Sequence, residues 1–187
     1  KQTISAEYGL TEHWMVEWFT TFIQPGRGGF QYLLTQIESR FRLFEEGEKI
    51  LDPALSLEYT HSQENGKTQH LIEPTLVLSK DFSHLNFTLD LSLAKTLNTA
   101  EKVEAGYSFA SRYDFVHLLR VGLEAQGEFL HDAPHYVIPQ VHLILPHEIT
   151  LKAGVGIRYS GEGEKIFIKF MTEVGLELGK SKLAERK

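Results

Sequence analysis

A two-residue period organises the chain. From Leu85 to Leu93 the residues run Leu, Asn, Phe, Thr, Leu, Asp, Leu, Ser, Leu, which sets apolar side chains on one face of an extended strand and polar ones on the other. Residues 149–160 repeat the pattern. Ile149, Leu151, Ala153, Val155, Ile157 and Tyr159 alternate with Thr150, Lys152, Gly154, Gly156, Arg158 and Ser160. The same phase runs through 3–10, 13–23, 35–44, 55–60, 70–80, 102–113, 119–126, 136–145 and 165–178, and so predicts eleven strands in all. No stretch carries a helical period. Turn signals separate the strands at Pro25-Gly26, Asp52-Pro53, Glu64-Asn65-Gly66 and Gly161-Glu162-Gly163. Pro74 and Pro139 fall inside two predicted strands, where a missing N–H weakens a central ladder.

The connections alternate in length. Short ones follow strands one, five, seven and nine, longer ones lie between them, and 45–53 is the exception. Short turns at one rim and longer loops at the other are how bacterial outer-membrane barrels are built. Alternation alone leaves open whether the apolar face points into a soluble lipid-carrying barrel or out toward lipid. The contents of the two faces favour lipid. The polar phase holds Glu7, Glu17, Glu38, Glu58, Glu73, Asp90, Glu104, Glu124, Glu173 and Glu177 against Arg40, Arg42, Lys102, Arg112, Arg120, Lys152, Arg158, Lys165 and Lys169. Between the strand ends, the apolar phase holds no charged residue. It carries rings near both ends instead: Tyr8, Trp14 and Tyr113 toward the short turns, and Phe22, Tyr59 and Tyr159 toward the long loops. Such belts suit two membrane interfaces. About nine residues per strand, tilted by ~40°, span roughly 23 Å, near the ~25 Å apolar band of such barrels.

Length and composition refine this picture. The 187 residues, at 42% hydrophobic and 24% charged, fit a single domain, here a barrel over 1–179 followed by a polar tail over 180–187. With no cysteine, there is no disulfide framework, thiolate metal site or cysteine nucleophile. A net charge of -6 without a basic block argues against nucleic acid as a partner. No apolar run reaches the length of a membrane helix. Strand parity adds one expectation. Bacterial single-chain barrels have even strand counts, so an upstream strand is expected to complete twelve in the intact protein.

The hairpin Glu7-Tyr8-Gly9-Leu10-Thr11-Glu12-His13-Trp14 resembles the "EYGLTDRW" hairpin of uncharacterised Gram-negative outer-membrane β-barrel proteins, allied to transporter-like barrels grouped with a phenol-degradation pathway. Residues 38–59 (ESRFRLFEEGEKILDPALSLEY), 78–93 (LSKDFSHLNFTLDLSL) and 120–129 (RVGLEAQGEF) resemble the same family. The resemblance implies an outer-membrane barrel of ill-defined transport role and carries over no functional residues. One departure is the missing terminal aromatic: the last strand closes on Leu178 and the chain continues to Lys187.

The candidate chemistry lies in the inward charges near strand middles: Glu38, Arg40, Asp90, Glu104, Arg120, Glu124, Lys152, Arg158, Lys169 and Glu173. They read either as paired struts of the barrel wall or as a constriction that selects small polar or ionic solutes. No cofactor and no metal are expected. His131 and His135 share a loop but lack a third ligand at fixed spacing, while His142 reads as an inward histidine and His13 and His147 as turn residues. An enzyme is not expected, since the outward phase offers Ser39 and Ser111 but no mid-strand histidine to activate them. The expected partners are outer-membrane lipid and a small solute. The alternatives are a scaffold whose loops or lumen hold a partner protein, or a soluble lipid-binding barrel.

Overall fold

The computed structural model describes residues 2–24, 28–45, 47–64, 66–100, 102–146 and 149–174. Among them there are eleven strands and no helix: β1 Gln2–Gly9, β2 Trp14–Ile23, β3 Gln31–Arg42, β4 Asp52–Glu64, β5 Lys67–Phe82, β6 Leu85–Thr96, β7 Glu104–Val116, β8 Leu119–Glu128, β9 His135–Leu145, β10 Ile149–Ser160 and β11 Ile166–Val174. They form one antiparallel up-and-down sheet in chain order, β1 to β11. Every expected strand is present. The expected closure is not: β1 and β11 each have one neighbour, so the sheet is open. The expected turn at Pro25-Gly26, the strand end over 175–178, Glu177, His147 and the tail over 180–187 lie outside the described residues.

The β4–β5 connection corrects the sequence reading. A long loop was expected over 61–69, yet β4 and β5 pair without interruption to Glu64↔Lys67, and Gly66 turns the chain at φ 75°. Ser62, Gln63, Thr68 and Gln69 carry no apolar alternation, so the hydrophobic signal stops while the backbone ladder continues. Lys102 also falls outside β7.

Burial settles which face is which. Among the described residues the buried apolar ones are Ala54, Val77, Ala133 and Ile138, while Glu38, Ser56, Thr60, Gln140 and His142 are buried with them. Leu55, Leu57, Leu91, Leu93, Leu123, Leu143, Val155 and Ile157 are exposed, and Ile168 is 82% exposed. The polar phase therefore lines the concave side and the apolar phase covers the convex side, the reverse of a water-soluble domain. The sheet curls enough for residues of β3 through β9 to line one cavity.

The two strand prolines sit on the convex face, where each interrupts one ladder and leaves the other intact. Pro74 pairs with Leu57 on β4, but the β5–β6 register skips from Ile72↔Lys95 to Thr75↔Ser92. Pro139 pairs with Leu123 on β8, and the β9–β10 register skips from Gln140↔Gly154 to Val137↔Ile157. A missing N–H can affect only the side it would have faced.

Rings collect at both rims of the convex face. At the short-turn rim Tyr8, Trp14 and Tyr113 are exposed, and the Trp14 indole donates from Nε1 to Ser39 Oγ at 2.9 Å. At the loop rim Phe22, Tyr32, Tyr59 and His61 form a chain of ring contacts with His70, and Tyr107, Phe129, His135 and Tyr159 form a second. A bulge in β3 between its pairings with Thr21 and Phe22 shifts the side-chain phase by one residue. That shift turns Tyr32 to the convex side, against Phe22 and His61.

Candidate functional site

The concave face is built from register. Glu7 stands opposite Glu17, Glu17 opposite Glu38, Glu38 opposite Glu58 and Glu58 opposite Glu73, so one unbroken row of glutamates crosses β1 to β5. Like charges directly opposite one another cost roughly 0.2–1 kcal/mol per pair, and neighbouring groups offset this. Glu38, 9% exposed, accepts from Ser56 Oγ at 2.6 Å and meets the Arg40 guanidinium at 2.7 Å. Glu58 accepts from Gln36 Nε2 at 2.7 Å and from Thr60 Oγ1 at 2.9 Å. Ser92 hydrogen-bonds Glu73.

The row borders a cavity of about 440 Å³ whose charged lining is Glu38, Glu58, Glu73, Asp90, Glu104 and Glu128, with Arg40 the cation among them. The charges are not evenly mixed. A nearly neutral interior, paired across the lumen, was expected from the counts; around this cavity six acids instead face one base.

The opposite wall, β8 to β11, holds the lysines. Lys169 Nζ on β11 reaches Glu124 Oε2 on β8 at 2.7 Å, and Gln140 Nε2 on β9 donates to Glu124 Oε1 at 2.9 Å. Glycine makes this reach possible. Register places Gly122, Gln140, Gly154 and Lys169 in one row. A Cβ on Gly154 would lie 3.0 Å from the Pro139 carbonyl oxygen and from Gln140 Cβ, and one on Gly122 would lie 3.1 Å from Gln140 Cγ. Two bare backbone positions thus form a slot for Gln140 and a floor over which Lys169 extends. Lys169→Met is expected to destabilise the fold by about 1–2 kcal/mol, since it removes a hydrogen bond to a charged group at a partly exposed site. The denaturant midpoint at constant slope measures this, and Glu124→Gln in the same background should recover most of the loss.

The ten candidate residues separate accordingly. Glu38, Arg40, Asp90 and Glu104 line the cavity. Glu124 and Lys169 pair on the opposite wall, with Lys152 on the same concave face of β10, opposite His142. Arg120 joins the short-turn rim, 2.9 Å from Asp114, and Arg158 lies toward the loop rim of β10, opposite Tyr136. Glu173 pairs with Thr150 in β11, and its side chain lies outside the described residues.

Glu58, Glu73 and Glu128 line the cavity without having been singled out. Glu58 lies at or beside the centre of the strand in both the predicted span 55–60 and β4, so its position along the strand did not distinguish it; its register opposite Glu38 and Glu73 does. His131 and His135 do not come together: His131 meets Asp132 at 3.4 Å, and His135 Nδ1 lies 3.0 Å from the Tyr107 hydroxyl.

No protein-family model matches the chain, and no curated protein is similar enough to count as a relative.

Proposed function

We propose that this chain is the wall of a bacterial outer-membrane β-barrel that passes small polar or ionic solutes passively, with a preference for cations. The observation that carries this reading is the inverted sheet: charge and glycine on the concave side, an uncharged apolar band with a ring belt at each rim on the convex side. The polar phase suits a water-filled lumen and the apolar phase suits lipid. A soluble lipid-binding barrel needs the opposite arrangement, with Leu55, Leu57 and Leu123 enclosed. The family resemblance of the 7–14 hairpin agrees with the membrane reading.

Topology supports a twelfth strand. In an up-and-down sheet β1 and β11 run the same way, so joining them directly would make one parallel pair. One further strand between them restores an all-antiparallel barrel and removes both edges, which have no water to satisfy them in lipid.

The glutamate row gives the lumen its sign. Strands in a barrel tilt, so a row of directly opposed residues climbs obliquely around the wall, rising about 3 Å per strand for strands ~4.8 Å apart. Carboxylates at such steps favour cations over anions. In planar bilayers the protein should conduct, and a potassium chloride gradient should give a reversal potential of cationic sign. Bilayers left insulating in every salt would rule the channel out and leave the scaffold reading. A protein monodisperse in buffer without detergent would rule out the membrane.

A further inference from the structure

We propose that His61 and His70 chelate a divalent transition-metal ion, copper(II) more tightly than zinc(II), on the convex face at the loop rim. This inference does not depend on the proposed transport role. The two residues stand directly opposite each other on β4 and β5, on the same face, with ring centroids 5.0 Å apart and planes tilted by 47°. That spacing suits shared coordination. With metal–nitrogen bonds of about 2.0–2.1 Å, two imidazoles at square or tetrahedral angles have centroids roughly 4.5–5.2 Å apart.

The surroundings hold both residues in place. The Tyr59 hydroxyl lies 2.6 Å from His70 Nδ1, and the two rings stack at 6.0 Å. With Nδ1–H donating to the phenol oxygen, Nε2 of His70 is left as the coordinating nitrogen, the tautomer control usual around metal-bound histidines. Tyr32 packs its ring 6.2 Å from His61 and donates its hydroxyl to the His61 carbonyl at 3.0 Å. On the other side, the His70 N–H donates to Asn98 Oδ1 at 3.2 Å, and its carbonyl accepts from the Leu97 N–H at 2.7 Å. Both backbones are therefore anchored where the β4–β5 hairpin begins to extend past its neighbours.

Among the described residues no group of three or more histidines or carboxylates is placed to hold a metal. The site thus has two protein ligands, with water completing the shell, which makes binding exchangeable and dependent on neutral imidazole. Copper exceeds zinc because affinity at nitrogen sites follows that order.

Copper(II) chloride and zinc chloride titrated into the full chain in detergent micelles test the proposal by calorimetry. One tightest site per chain is expected for each metal. His61→Gln and His70→Gln should each weaken it by on the order of a hundredfold, and the double variant no further than either single, because one imidazole alone loses the chelate. Tyr59→Phe should weaken it about tenfold, and His84→Gln, at the other rim, should leave it unchanged. The unmodified protein gives a readout free of folding effects: its copper spin-resonance spectrum should show two coordinated nitrogens. A spectrum showing one nitrogen, or affinity that survives both histidine substitutions, would overturn the proposal.

Discussion

Leu89→Arg is expected to destabilise the protein by ~2–4 kcal/mol when it folds into phospholipid vesicles. Leu89 lies in the convex phase of β6 between Leu78 of β5 and Phe109 of β7, and Phe109 in turn stacks on Phe87 at 6.1 Å. In the proposed orientation this patch meets lipid near the middle of the apolar band, and a guanidinium there must be desolvated or must drag water in. The next residue provides the contrast. Asp90 faces the cavity, so Asp90→Asn should change the folding free energy by less than about 1 kcal/mol. The comparison discriminates sharply, because an arginine on a water-exposed strand face costs no more than about 0.5 kcal/mol. Equal, small effects at 89 and 90 would end the membrane reading.

The second large effect is on selectivity. Replacing Glu58 and Glu73 together by glutamine removes two adjacent charges from the row while keeping each side chain's shape and an acceptor oxygen for Gln36 and Thr60 at Glu58. A cation-to-anion permeability ratio of about ten should fall toward about one, read from the reversal potential in bilayers. The fold should be retained or slightly strengthened, since a like-charge pair is relieved. Removing Glu124 and Lys169 together, as Glu124→Gln with Lys169→Met, should hardly alter selectivity, because the pair at 2.7 Å carries no net charge. If the double variant at Glu58 and Glu73 conducts with unchanged selectivity, the row is a wall feature and plays no part in permeation.

The difference between these two carboxylate groups was not legible from counting. Ten acids against nine bases on one phase suggested general pairing, because period assigns a residue to a face without fixing its height on that face. Height depends on register, and register depends on strand ends. Glu58 shows this: it lies at or beside the centre of its strand whether the strand is read as 55–60 or as β4, yet only its pairing opposite Glu38 and Glu73 makes it part of a row. Once the pairings are known, the row from Glu7 to Glu73 becomes continuous. The histidine pair was hidden because His61 lay in what read as a loop and His70 at the first position of the strand after it, so nothing set the two opposite each other.

The sequence by itself determined the strands, their order of faces and the absence of helix, because alternation is local and each apolar or charged residue takes its side from its neighbours one position away. It also located the ring belts, which lie at strand ends. Only the tertiary structure decided which carboxylates share a cavity, which lysine reaches across two strands to Glu124, and that β1 and β11 are the two edges of the described sheet, running the same way. Those depend on pairing register and sheet curvature, and both are set by contacts between residues far apart in the chain.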